Sequence, residues 1–151
     1  MLAVRSFRGE DEAAIVDLWM RCGLVHPVND PQRDIRRKLR VRPDLFLVGT
    51  LAEKIVASVM VGYEGHRGWI NYLAVSPDCR KRGFGRKMME EAERLLRAEE
   101  CPKINLQVRR SNADVIAFYR AIGFLEDDVV SLGKRMEHDR KESSQTPDAT
   151  R

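Results

Sequence analysis

A basic segment that contains two glycines is the part of the sequence whose residue types most directly suggest chemistry. It follows an apolar run that ends at Val75, and an amphipathic pattern begins near Gly85. Backbone N–H groups at a helix start bind anions, and basic side chains nearby strengthen the attraction. We therefore predict a phosphate-binding helix start here. Its residues are Arg80, Lys81, Arg82, Gly83, Phe84, Gly85 and Arg86.

Two common phosphate-binding patterns do not match this segment. A nucleotide P-loop requires Gly-x-x-x-x-Gly-Lys-Ser/Thr, and that spacing does not occur in the chain. A dinucleotide fingerprint requires a third glycine, but Met88 occupies that position. The ligand is therefore expected to be a phosphate compound of another class.

A second motif lies downstream, where Asn112 opens a helical pattern that carries Tyr119 and ends at Gly123 and Phe124. The two motifs, in this order, resemble the GNAT superfamily of N-acetyltransferases, and the resemblance covers about residues 1–136. Segments 29–31, 65–68, 101–104 and 131–135 also look like a small bacterial group of that superfamily, the YpeA-type acetyltransferases.

The resemblance implies acetyl-CoA as the acyl donor and assigns its binding residues. The backbone of Leu73, Ala74 and Val75 would pair with the pantetheine arm, and residues 80–86 would hold the pyrophosphate through main-chain amides. Asn112 would donate a hydrogen bond to the arm, although it has a second explanation as the N-cap of its helix.

The resemblance also implies a reaction, which is direct attack of an amine on the thioester in a ternary complex. Tyr119 would donate a proton to the departing thiolate. Its alternative is core packing, because it lies on the apolar stripe of its helix. The acceptor amine stays open between a protein N-terminus, a lysine and a small amine.

The general base is the weak point of this assignment. Related N-terminal acetyltransferases carry Glu where this chain has Gln107, and histone-type relatives carry Glu where it has Trp69. The remaining candidates are Glu64, His66 and, through a water, Tyr72. We predict Glu64 as the base.

A non-catalytic acyl-CoA-binding module or sensor is the alternative function. Nucleic-acid binding is not expected, because the basic segment 32–42 contains no aromatic residue among its cations. A solvated helix face is the interpretation that we favour for this segment. The sequence also shows no metal-ligand spacing, and its three cysteines are expected to be unpaired thiols.

These residues are carried by a predicted α/β domain with the element order βααβββαβαβ, a mixed but mostly antiparallel sheet flanked by about four helices. We predict strands at 2–7, 45–48, 55–63, 69–75 and 103–109, with one or two more at 124–135. Predicted helices cover 10–22, 31–40, 85–100 and 112–122.

Composition indicates one domain. The 151 residues are 43% hydrophobic and 33% charged, and no apolar run is long enough to cross a membrane. We expect an N-acetyltransferase domain at 1–138 and a disordered tail at 139–151, which has no aromatic or large aliphatic residue. Without a secretory signal the expected location is cytoplasmic. A homodimer is possible, since C-terminal strands commonly pair subunits in the family.

Overall fold

A computed structural model describes residues 1–137 as five strands and four α-helices. The predicted tail at 139–151 lies outside the described residues. In the part that is described, no helix is both long and apolar enough to span a bilayer. The strands are β1 (Ala3–Ser6), β2 (Phe46–Leu51), β3 (Lys54–Tyr63), β4 (Gly68–Val75) and β5 (Ile104–Leu106), and the helices are α1 (Glu12–Arg21), α2 (Pro31–Leu39), α3 (Phe84–Ala98) and α4 (Ala113–Ala121).

The strands form one sheet in the order β1-β2-β3-β4-β5. The first four pair antiparallel through short connections, whereas β4 and β5 pair parallel because α3 links them as a crossover. The predicted fold class, a mixed and mostly antiparallel sheet with about four helices, is confirmed.

The sheet separates two hydrophobic cores, one on each face. In β2, Phe46 and Val48 point toward α1 and α2, where Trp19 is fully buried. Leu47 points to the other face, where Met88 of α3 is also fully buried. This apolar strand is thus buried on both faces, because successive side chains along a strand point to opposite sides of the sheet.

The sheet has an opening between β4 and β5. The two strands pair only from Gly68–Ile104 to Ile70–Leu106. The register of β4 against β3 then shifts at a bulge, and Tyr72 adopts a positive φ of 52°. Beyond the bulge, the edge of residues 73–75 that faces away from β3 is paired with no strand among the described residues. The fold therefore leaves this main-chain edge without a described partner strand, next to the outermost strand of the sheet. The Val75 carbonyl accepts a hydrogen bond from the Cys22 thiol at 3.3 Å.

The C-terminal part of the sequence differs from its prediction. The strand expected at 103–109 covers only Ile104–Leu106, and the one or two strands expected at 124–135 are wrong, because residues 124–137 have no regular structure. A strand needs a partner for its backbone groups, and this segment reaches β5 through side chains such as the Lys103–Asp127 ion pair at 2.8 Å. Its large apolar side chains are exposed, namely Leu125, Val129, Val130, Leu132 and Met136.

Candidate active site

The start of α3 has the features of an anion-binding site. The first intrahelical bond runs from the Lys87 amide to the Gly83 carbonyl, at 3.0 Å. The amides of residues 84–86 have no hydrogen-bond partner in residues 1–137. Gly83 has a φ of +79°, and an added Cβ there would meet no heavy atom within 4 Å. The position therefore favours glycine because of its backbone conformation and not because of crowding.

Gly85 has a different reason to be glycine. A Cβ at this position would lie 3.2 Å from Cζ of Phe118 on α4 and 3.8 Å from Cγ2 of Val75 on β4. The absence of a Cβ thus lets the helix start approach α4 closely. The amides of 84–86 are thus placed between the uncovered edge of β4 and α4.

Basic side chains surround this helix start. Arg82 places its guanidinium 4.9 Å from the centre of the Phe84 ring, and Phe84 itself is buried. No ion pair neutralises the basic side chains of this segment among the described residues, so their charge is available to a polyanion. These exposed cations are Arg80, Lys81, Arg82, Arg86 and Lys87.

Tyr119 lies on α4 with only 8% of its surface exposed. Its ring meets those of Phe118 and Phe124 edge to face, at 5.1 Å and 5.5 Å between centroids. Burial raises the pKa of Tyr119 to about 12, because the phenolate would lose its hydration. Its hydroxyl makes no hydrogen bond to residues 1–137. The group therefore stays protonated at neutral pH, as a proton donor must.

Tyr119 lines a cleft of about 1230 Å³ between α4, β5 and the segment after α4. Trp69 and Gln107, which occupy the positions where the resemblance would require a glutamate, also line it. The amide of Gln107 donates to the hydroxyl of Ser131. Neither side chain can accept a proton from an ammonium group.

Asn112 occupies the N-cap position of α4, as predicted, but its side chain makes no capping hydrogen bond. The capping explanation of this residue is therefore wrong. The side chain is exposed at the start of α4.

Glu64 lies at the other end of β4 from residues 73–75. Its two carboxylate oxygens accept hydrogen bonds from the amides of His66, at 2.9 Å, and Arg67, at 2.5 Å. From Gly68 to Leu73 a strand advances about 16 Å. The structure thus gives Glu64 a turn-stabilising position and does not bring it to the uncovered edge.

A polar cluster that the sequence pattern did not reveal lies beside the opening, on the α1–α2 face. The Tyr72 hydroxyl donates to Oδ2 of Asp34 at 2.6 Å, and the Tyr72 ring stacks on Trp19 with 3.8 Å between centroids. The Trp19 indole donates to Ser58 at 2.9 Å, and Ser58 donates to the Tyr72 carbonyl at 2.9 Å. Tyr72 and Asp34 are 38 residues apart, so no local pattern could have joined them.

Comparison with known proteins agrees with this geometry. Residues 12–124 match the model of the acetyltransferase (GNAT) family. The chain therefore belongs to that family, and the names of its relatives identify it as an acetyltransferase. A protein of Pectobacterium atrosepticum named as an acetyltransferase is 46% identical over 140 residues, which cover 93% of this chain and 99% of that protein.

Solved structures show the same fold at low sequence identity. The ribosomal-protein-S18-alanine N-acetyltransferase of Escherichia coli superposes with a TM-score of 0.71 at 23% identity, over 84% of this chain and 79% of that one. AAC(6')-Iy, in complex with the bisubstrate analogue CoA-S-monomethyl-acetylneamine, gives a TM-score of 0.73 at 16% identity, over 89% and 99%.

Proposed function

We propose that this protein is an acetyl-CoA-dependent N-acetyltransferase that acetylates an amine by direct attack in a ternary complex. The observation that carries the proposal is the arrangement along β4 and α3. An uncovered strand edge leads to a helix start whose amides have no described partner, and cations surround it. The bisubstrate analogue in AAC(6')-Iy joins CoA to an acetylated amine on the same fold, which supports this choice of substrates.

The donor would be held mainly by the main chain. The amides of residues 84–86 would bind the pyrophosphate, since a helix start favours negative charge. The edge of Leu73, Ala74 and Val75 would pair with the amide-containing pantetheine arm, as an added strand pairs with a sheet. Asn112 would donate to the same arm. The exposed cations of the loop, Arg80 among them, would add long-range attraction.

Tyr119 would act as the acid when the tetrahedral adduct collapses. The amine nitrogen bonds to the acyl carbon, the C–S bond breaks, and the phenol proton passes to the sulfur. The sequence predicts Glu64 as the base, but both its oxygens accept turn amides, so the proposed function leaves the proton acceptor of the amine open. The acceptor class stays open between an N-terminus, a lysine side chain and a small amine.

Acetyl-CoA is expected to stabilise the protein, and an amine is expected to release its thiol. Ligand at 100 times Kd adds about 2.7 kcal/mol to the free energy of unfolding. A thermal-shift titration with acetyl-CoA and a thiol-release assay would measure both, with an alanyl peptide, N-acetyl-lysine amide and spermidine as amines. The control is R80A/R82A/R86A, in which the shift should fall.

The two readouts separate the candidate functions. Stabilisation together with thiol release supports the acetyltransferase. Stabilisation without thiol release from any of the three amines favours the non-catalytic acyl-CoA-binding module. A melting temperature that acetyl-CoA does not change would contradict both.

A homodimer through the C-terminal segment is part of the proposal. Each copy has an outer β5 edge that is paired with no described strand, together with the exposed apolar side chains of 125–136. Val130 and Leu132 are 82% and 90% exposed. A two-fold contact through this surface would bring the same features of both copies together and cover them.

The dimer is tested by light scattering after size-exclusion chromatography. We expect twice the 17.4 kDa chain mass for the wild type and one chain mass for V130K/L132K. K54E, which changes an exposed charge at the start of β3 with no described ion pair, is the matched control. A monomeric wild type at 100 μM, about the concentration where a weak contact forms, would contradict the dimer.

A further inference from the structure

We propose that Tyr72 and Asp34 form the proton-accepting relay for the attacking amine, with Tyr72 as the catalytic residue and Asp34 as the residue that positions it and takes its proton. This inference rests on the proposed amine acetylation. It concerns the removal of protons from the amine, because Trp69 and Gln107 occupy the two positions where the resemblance would require a glutamate base.

The relay has the hydrogen-bond direction that proton transfer needs. The Tyr72 hydroxyl donates to Oδ2 of Asp34 at 2.6 Å, and Oδ1 of Asp34 accepts from Nη1 of Arg37 at 3.2 Å. A phenol oxygen that donates its proton can still accept one through its lone pairs. A proton taken up by Tyr72 therefore pushes the phenol proton onto Asp34, and no phenolate has to form.

The position of Tyr72 in β4 is strained and firmly held. Its φ of 52° costs about 1–3 kcal/mol for a bulky residue. Trp19 and Ser58, both fully buried, fix it by ring stacking and by the hydrogen bond to its carbonyl. This strain occurs where β4 leaves β5, directly before the uncovered edge 73–75. A backbone outlier held by buried partners at this point indicates a functional constraint.

The two tyrosines lie on opposite faces of the sheet. Tyr72 packs with the α1–α2 core, whereas Tyr119 and Leu73 pack with the α3–α4 core. A thioester at the opening would thus have a proton acceptor on one face and a proton donor on the other. The amine would approach from the α1–α2 face, and the thiolate would leave toward Tyr119.

The protons balance as follows. Tyr72 takes one proton from the ammonium before attack and one from the nitrogen of the tetrahedral adduct. Asp34 receives each in turn and passes it to water, since 23% of its side chain is exposed. Tyr119 gives one proton to the sulfur and regains one from water. The net reaction releases one proton, as the conversion of ammonium and thioester to amide and thiol requires.

The charged neighbours of the relay come from α2 and the C-terminal segment. Arg37 pairs with Asp34, and Glu137 lies 3.8 Å from Arg37. On the α1 side of β4, Arg21 donates to the Ser76 hydroxyl at 2.9 Å, and the thiol of Cys22, directly after α1, donates to the Val75 carbonyl at 3.3 Å. The Arg37 guanidinium thus contacts the Asp34 carboxylate that accepts the Tyr72 hydrogen bond.

The test is the pH dependence of thiol release in Y72F, D34N and D34E, with the alanyl peptide and N-acetyl-lysine amide as probes. Y72F keeps the ring on Trp19 and removes only the hydroxyl. The alanyl peptide has an amine with a pKa of about 8. With this probe, we expect Y72F to lower the rate of thiol release by about 100-fold at pH 6.5 and by less than about ten-fold at pH 9. D34E should recover part of the rate that D34N loses.

Other outcomes are decisive. If Tyr72 has only a structural role, Y72F should lower the rate of thiol release by the same factor at every pH. A Y72F rate equal to the wild-type rate would also overturn the relay. A pH-dependent loss in E64Q, with none in Y72F, would assign the base to Glu64. A wild type that turns over none of the three amines, spermidine included, removes the amine acetylation and the relay together. An active wild type whose rate equals that of Y72F removes the relay alone.

Discussion

Replacing Tyr119 with Phe is expected to lower kcat by about 100-fold or more and to leave acetyl-CoA affinity within about three-fold. The loss follows from removing the proton that the departing thiolate needs. The fold should be little affected, because the ring keeps its edge-to-face contacts with Phe118 and Phe124. The hydroxyl makes no hydrogen bond among residues 1–137, so its removal leaves no described partner unsatisfied.

The measurement is thiol release at saturating acetyl-CoA, with Y63F as the matched control. Tyr63 is half-buried near the turn and donates to the Gly65 carbonyl at 3.4 Å, away from the uncovered edge. A Tyr119 pKa of about 12 also means that the wild-type rate should not fall through loss of this acid below about pH 11. Turnover in Y119F equal to that of the wild type would leave Tyr119 a packing role only.

Gly85→Val is expected to weaken acetyl-CoA binding by about 30-fold and to lower the free energy of unfolding by about 1–3 kcal/mol. The Cβ alone would lie 3.2 Å from Phe118, and the two methyl groups of valine need more room. The start of α3 must then move away from α4 and β4. The amides of residues 84–86 would move with it, so donor binding and stability should fall together.

A double-mutant cycle isolates that contact. G85A alone crowds Phe118, and adding F118L should restore part of the acetyl-CoA affinity by removing the crowding ring atoms. G83A is the comparison for conformation without crowding, because an added Cβ there meets nothing within 4 Å and only the φ of +79° is strained. Wild-type affinity in G85V, measured by titration calorimetry, would show that the helix start is not the phosphate site.

Much of the fold could be predicted from local pattern. The helix predicted at 10–22 corresponds to α1, and the strand predicted at 69–75 corresponds to β4. Gly123, with a φ of +105°, ends α4 as its position after the apolar stripe predicted. Such features depend on residues within about four positions of one another, so they can be recognised without a fold.

The C-terminal strands could not be predicted in the same way. The alternation at 129–136 has strand character, but a strand exists only where a backbone edge accepts it. The described part of the chain supplies side-chain contacts from Asn105 and Lys103 to Asp127 instead. Asn112 failed as a cap for a related reason, since the type of residue was right but its side chain does not turn back to the helix amides.

The sequence by itself determined the elements of the proposed donor site: a basic loop, a glycine-containing helix start and a downstream tyrosine in a recognisable order. Only the tertiary structure shows that Phe118 leaves no room for a side chain at Gly85. It also brings the Tyr72 hydroxyl within hydrogen-bond distance of Asp34, at 2.6 Å. The reason is physical. Helix starts and stripes arise from neighbours along the chain, whereas a hydrogen bond across 38 positions exists only after the sheet and α2 have packed together.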